Sequence, residues 1–223
     1  MNSLLKKIVW PVMAIPAVYL AIVWNKLPEK VAMHFNLKGE PDRFGNKSEL
    51  ITTVAIIAGM NILVYFILTN IWRIDPKKYA AENKDRIGKI AFATVILLSA
   101  ILCLIIYSAS HGNIRFSTNL IFAATGLFFA FIGNYLPNLK PNYFAGLRLP
   151  WTLENPDNWR KTHLLAGKLF FAGGLSLAVI CLFLPPVPAI IVFFIIMTAI
   201  VIIPCIYSYR LYRQQKKQGA GNA

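Results

Sequence analysis

Residues 134–168 read NYLPNLKPNYFAGLRLPWTLENPDNWRKTHLLAGK and join two apolar runs, 117–135 and 164–184. A connector between membrane spans needs only to be wet and flexible. This one holds four prolines, two glycines and two tryptophans, with Arg148 and His163 beside the aromatics. Proline fixes φ and tryptophan offers a rigid contact surface. The stretch therefore reads as a folded element closing one end of a helical bundle.

Working outward, four more apolar runs appear at 8–24, 50–72, 90–108 and 189–209. Each is about the length needed for a helix to cross a ~30 Å hydrocarbon core. Strands of a membrane barrel would be about ten residues long and would alternate in polarity, and these runs do neither. Of all 223 residues 57% are hydrophobic and 14% charged, above the apolar share of soluble domains. The expected fold is all-α, a polytopic integral membrane bundle of six transmembrane helices. The first run follows Lys6 and Lys7 as a signal peptide would, but it continues into Trp24 without a small-x-small cleavage site, so it reads as a retained span.

The net charge of +14 suggests nucleic acid until its distribution is read. With the N-terminus inside, 17 of the 23 Lys and Arg fall in cytoplasmic segments and 6 in outer ones. That is the positive-inside bias, and it predicts both termini in the cytoplasm. The basic tail, Arg210 to Lys217, would lie against anionic lipid. Partners are thus expected to include the bilayer and not nucleic acid directly. Cys103, Cys181 and Cys205 all lie in apolar runs with no paired spacing, as small packing residues do.

Both long loops are patterned. In the outer one, Val31, Met33, Phe35 and Leu37 alternate before Gly39-Glu-Pro-Asp, predicting a short strand and a turn. A shift of 109 lays Asn25-x-Leu27-Pro28 over Asn134-x-Leu136-Pro137, and Phe35, Pro41 and Pro76 over Phe144, Pro150 and Pro185. An inverted 3+3 repeat is one expectation from this, with halves 1–108 and 109–223. Asp75-Pro76 should end the second helix, residues 77–86 should form a solvated connector or else a short charged amphipathic segment, and Pro185-Pro186-Val187-Pro188 should form a tight connector.

In the inner loop, Asn155-Pro156-Asp157-Asn158 spells a helix start, with Asn at the N-cap and Pro at the first helical position. Trp159, His163 and Gly167 then share one face, with Arg160 alongside, and Gly146 to Thr152 is the expected partner surface. Arg148 has the planar fork for a carboxylate or phosphate. It either grips a ligand or locks the loop through Glu154, Asp157 or a lipid phosphate. Lys168, one turn inside the fifth span, can snorkel to the interface.

Catalytic signals are absent. The runs contain no carboxylate, and the chain contains no HExxH or GxSxG, so no enzyme is expected. His34, Glu40 and Asp42 are too irregularly spaced for a metal site, and neither metal nor cofactor is expected. Polar residues of the spans, Thr52, Asn61 and Ser99 among them, suit helix–helix hydrogen bonds.

The combination Asn134, Pro137, Pro141, Asn142, Gly146-x-Arg148, Trp151-Thr152, then Trp159-Arg160-x-x-His163 and Lys168 resembles the signature of the bacterial SdpI family. Pro28, His34, Phe35, Gly39 and Asp42 look like the domain of unknown function that accompanies it. Ala145 and Leu149 depart from an isoleucine-type residue and a threonine that are common there. The resemblance implies an immunity protein of the bacterial plasma membrane that guards its producer against a secreted, membrane-active peptide toxin on the outer face. As in the founding member, it also implies signalling, by drawing a winged-helix repressor to the cytoplasmic face. A small-molecule or lipid transporter on an inverted repeat, or a membrane-stress regulator, is the alternative.

Overall fold

A computed structural model describes residues 3–36, 40–77, 80–111 and 115–221. Its long helices are α1 (Ser3–Val23), α2 (Lys47–Asn70), α3 (Lys84–His111), α4 (Arg115–Tyr135), α6 (Pro156–Phe183) and α7 (Pro186–Gly221). All six are long and apolar enough to cross a membrane. The fold is the expected all-α polytopic bundle. A five-residue helix, α5 (Pro150–Glu154), lies before α6, and an antiparallel hairpin, β1 (Lys30–Phe35) and β2 (Pro41–Asn46), separates α1 from α2.

Because the spans alternate in direction, the strands of the hairpin, the end of α3 and the α6–α7 turn share one end. The start of α1, the end of α7 and the described residues of 71–83 and 136–155 share the other, called here the cap end. Large apolar side chains remain exposed along the spans, as at Ile56, Leu63 and Ile67 on α2 and Phe194, Ile195 and Ile202 on α7. On a soluble protein such a surface would aggregate; here it is what lipid covers.

Association in lipid gains little from the hydrophobic effect, so contact depends on close packing and interhelical hydrogen bonds. The α4–α6 pair supplies the closest packing. A methyl group added to Gly126 would fall 2.6 Å from Gly174 O, and one added to Gly133 would fall 2.8 Å from Gly167 O. The two backbones touch where only a hydrogen can stand between them. Gly167 in turn lies against the Pro137 ring, with 2.6 Å from its would-be methyl to Cγ.

The first three spans are joined differently. α3 packs on both α1 and α2, and Asn61 of α2 donates to Ser99 Oγ at 3.2 Å and to Val95 O at 3.4 Å on α3. The hairpin closes this group: Val31 is buried with Leu27 in a cluster with Leu20, Leu50, Val54, Leu102 and Ile106, and Ala32 beside it is buried as well. Asn46 begins α2, its N–H donating to Glu49 Oε1 at 3.1 Å.

Packing does not repeat between the two sets of three spans. The third span, α3, is the hub of the first set, and the middle span, α6, is the hub of the second. What the sets share is local: Leu27, just after a 3-10 turn, and Leu136, the first residue of one, each precede a proline and are both buried.

Three local expectations are corrected. The strand at 30–35 forms, but its register slips between Ala32 and His34 and again before Phe35, so burial does not alternate cleanly. The described part of 77–86 is a 3-10 turn, Ala80–Asn83, running straight into α3. The proline connector shortens to Leu184 and Pro185, because α7 starts at Pro186. Pro186 and Pro188 occupy its first turn, where a missing N–H leaves no helical bond unmade.

Substituting Gly174→Leu should force α4 and α6 apart at a cost of about 1–3 kcal/mol, lowering the melting temperature in detergent by about 5–10 °C. Gly59→Leu, where an added methyl meets no atom within 4 Å, is the control. Equal melting of the two variants would mean that the seam does not hold the pair.

Candidate functional site

At the cap end the loop between α4 and α6 is a closed set of hydrogen bonds. It starts from Pro137 on Gly167, after which Trp159 Nε1 donates to Leu139 O at 2.7 Å. Trp159 is buried and stacks on His163, ring centroids 4.0 Å apart. His163, also buried, lies against Trp159 O at 2.8 Å through Nδ1, and its Nε2 accepts from Leu147 N at 3.0 Å. Nδ1 therefore carries the proton of a neutral ring, and a second proton on Nε2 would displace the Leu147 N–H.

Gly146 passes over that ring at φ 98°, in the left-handed region, and an added methyl would collide with His163 Nε2. Only glycine satisfies both conditions. Buried Asn142 forms the preceding turn. Its amide donates to Lys140 O and Ala145 O, and its Oδ1 accepts from Phe144 N and Ala145 N, at 2.7–3.1 Å. Thr152 Oγ1 accepts from Leu149 N at 2.9 Å and sits 2.9 Å from Leu147 O, which fixes the start of α5.

A second knot ties this cap to α7. Asn155 caps α6, accepting from Asp157 N and Asn158 N at 3.0 Å. Asn158 Oδ1 accepts from Ser208 Oγ at 2.7 Å and from Thr162 Oγ1 at 3.0 Å, while Asn158 Nδ2 donates to Ser208 O at 3.1 Å. Trp151 Nε1 donates to the same Ser208 hydroxyl at 2.9 Å, and the indole stacks on Tyr212. Asn142, Thr152, Asn158, Thr162, His163 and Ser208 are all buried and bonded, as buried polar groups must be.

The structure thus brings together most of the residues read from sequence: Pro137, Pro141, Asn142, Gly146, Trp151, Thr152, Trp159 and His163. Asn134, on the last turn of α4, is exposed, as are Arg148, Arg160 and Lys168. The ion-pair reading of Arg148 is corrected. Its Nη1 donates to Tyr143 O at 2.7 Å, and it meets neither Glu154 nor Asp157. Asp157 is instead claimed by Arg160 at 3.2 Å and Lys161 at 2.8 Å, one turn along its own helix.

Three residues that hold the cap were not read from sequence. Asn83, buried, exchanges two hydrogen bonds with the Lys140 backbone, at 2.9 and 3.0 Å. Asp75 accepts from Tyr143 N at 3.0 Å, and Lys77 donates to Leu153 O at 3.0 Å. Their partners are backbone atoms about sixty or more positions away. The Asp75-Pro76 helix stop was the one signal nearby.

The outer-loop residues lie at the opposite end. His34 Nδ1 and Asp42 Oδ1 are 2.6 Å apart across the hairpin, both side chains largely exposed. Phe35 pairs with Pro41, and Pro28 is exposed. Gly39 falls outside the described residues. No group of three or more metal-ligating side chains forms among the described residues.

A six-span bundle with a locked cap at one end and a small hairpin at the other defines a polytopic membrane protein whose polar chemistry lies at its ends. Residues 138–208 match the SdpI/YfhL protein family, and residues 12–59 match a domain of unknown function, DUF1648. An SdpI-like region and the region similar to that N-terminal domain thus lie in one chain. It is 24% identical over 193 residues to "Immunity protein SdpI" of Bacillus subtilis (strain 168), covering 86% of this chain and 88% of that protein. No solved structure matches it.

Replacing His163 with Phe keeps the stack on Trp159 but leaves Leu147 N–H without an acceptor, a loss of about 1–3 kcal/mol. Protease cutting within 140–156 should speed up several-fold in this variant. Gly146→Ala should do the same through both strain and collision. Cutting at the wild-type rate in both would show that the histidine does not pin the loop.

Proposed function

We propose that this protein is an immunity protein of the bacterial cytoplasmic membrane, shielding its cell from a secreted membrane-active peptide. The observation that carries the reading is the similarity to an immunity protein along nearly the whole of both chains, hairpin domain and cap domain together. Protection here is a matter of binding rather than bond chemistry. The charge bias puts the cap in the cytoplasm and the hairpin outside. The hairpin, with His34, Asp42 and exposed Phe44, is then the surface offered to a peptide arriving from outside.

The cap is the surface offered to a cytosolic partner, and a winged-helix repressor held there is the signalling form of the proposal. Arg148, Tyr143 and Phe144 are among its exposed residues on the loop. A transporter is the poorer reading. Asn61 and Ser99, the buried polar side chains deep within the described spans, bond to each other across α2 and α3 rather than line a path.

Two experiments test this. Expression in a strain sensitive to the peptide encoded nearest this gene should raise survival several-fold. His34→Ala should weaken protection at equal membrane level, and unchanged survival with the wild-type protein would overturn the immunity reading. Separately, Asp42→Cys should react with a membrane-impermeant maleimide in intact cells, and Arg148→Cys only after permeabilisation. The reverse pattern would invert the assignment of the two faces.

A further inference from the structure

The spans of the two sets meet chiefly along α3 and α4, and two clefts line up on that junction. At the cap end lies a cleft of about 430 Å³ lined by Arg86, Lys140 and Arg160, with Glu82, the 137–141 turn and Trp159. Along the spans lies an apolar groove of about 320 Å³ between Phe92 to Ala100 on α3 and Ala124 to Phe131 on α4. Arg86, Ala93, Leu97 and Ala100 recur at helical spacing, so the cleft and the groove sit on one face of α3. Between them Lys89 lies over the Tyr135 ring of α4, 5.9 Å from its centroid.

The carboxylates nearby do not cancel the cations. Asp85 pairs with Lys89 at 2.9 Å, and Asp157 pairs with Arg160 at 3.2 Å and with Lys161 at 2.8 Å. Arg86 Nη1 donates to the Glu82 carbonyl at 2.9 Å. Three cations against one lining carboxylate leave the mouth positive.

The height also fits. From Arg86 to Ala100, α3 rises about 21 Å. One leaflet, headgroup included, is about 20–22 Å deep. We propose that an anionic phospholipid of the cap-side leaflet seats here, its phosphate among Arg86, Lys140 and Arg160 and one acyl chain in the α3–α4 groove. A cationic cleft in line with an apolar slot, the two together one leaflet deep, matches an anionic amphiphile. A free anion would leave the slot empty, and a zwitterionic lipid would leave the charge unmatched. The site requires neither the immunity reading nor a particular orientation.

The test uses the full chain, purified from vesicles of phosphatidylcholine doped with phosphatidylglycerol, with retained lipid counted by mass spectrometry. Phosphatidylglycerol should stay bound through detergent exchange and phosphatidylcholine should not. Combining Arg86→Gln, Lys140→Gln and Arg160→Gln should lower retention about tenfold or more. Ala100→Trp, which fills the groove and leaves every charge in place, should lower it as well. Combining Arg213→Gln, Lys216→Gln and Lys217→Gln removes three tail charges and should leave retention intact. Lys140→Gln alone, on an exposed side chain outside any helix, carries the test should the triple variant not fold. Retention unchanged in the cleft variants, or lost equally in the tail variant, would overturn the site. Displacement by inorganic phosphate with no effect of Ala100→Trp would make it a free-anion site instead.

Discussion

Backbone contact between α4 and α6 is what the rest of the cap stands on. Gly126, Gly133, Gly167 and Gly174 let the two helices approach until each would-be methyl collides with the other's carbonyl or amide. Lipid offers no hydrophobic gain for bringing two such helices together, so this proximity is itself the source of the attraction. Its consequence runs outward along the chain. Gly167 seats Pro137, and Pro137 sets the exit of the loop from the membrane. Trp159 can then reach Leu139 O, and His163 one turn later can receive Leu147 N–H. Separating the helices would detach each of these bonds in turn.

That dependence changes the meaning of the SdpI-like motif. A polar, aromatic, glycine-bearing stretch suggests a binding surface when read as sequence. In three dimensions Asn142, Thr152, Trp159 and His163 face inward, their hydrogen-bonding groups engaged in shaping the loop. A loop at the edge of a bilayer cannot leave its backbone groups unpaired where the protein covers them. These side chains are the partners that meet this requirement. What protrudes from the lock, Arg148, Tyr143 and Phe144 among others, is held in position by it.

Much of this was legible in the sequence, for definite reasons. Spans are visible because lipid excludes charge over some twenty residues at a time. The start of α6 was visible because Asn155 and Pro156 satisfy local rules of helix initiation. The end of α7 was not. Hydropathy stops near Tyr209, where Arg210 begins the tail, but helix formation does not depend on apolarity. Lys, Arg and Gln are good helix formers, and Trp151 on Tyr212 and Asn155 on Gln215 fasten the extra turns to the cap. Asn83 and Asp75 stayed hidden because they bond to backbone atoms of a distant loop, and a carbonyl or amide leaves no mark on residue identity. The 109-residue shift did find a local likeness, the buried Leu before Pro. It could not report that α3 and α6 occupy different places in the two packings.

The two sets of spans are held together at few places: along α3 and α4, and at the cap through Asn83, Asp75 and Lys77. All three cap contacts come from the segment linking α2 to α3 and end on the loop linking α4 to α6. A rotation of α3 against α4 would therefore pull directly on Lys140, Tyr143 and Leu153, the backbone that carries Arg148. This gives a physical route by which an event at the hairpin end, where α3 also packs on β1, could alter the surface shown at the cap. A bound peptide drives such a change only to the extent that it binds one arrangement of α3 and α4 better than the other. A lipid wedged in that same junction would bias the two arrangements as well. The composition of the cap-side leaflet would then set the resting arrangement of α3 and α4.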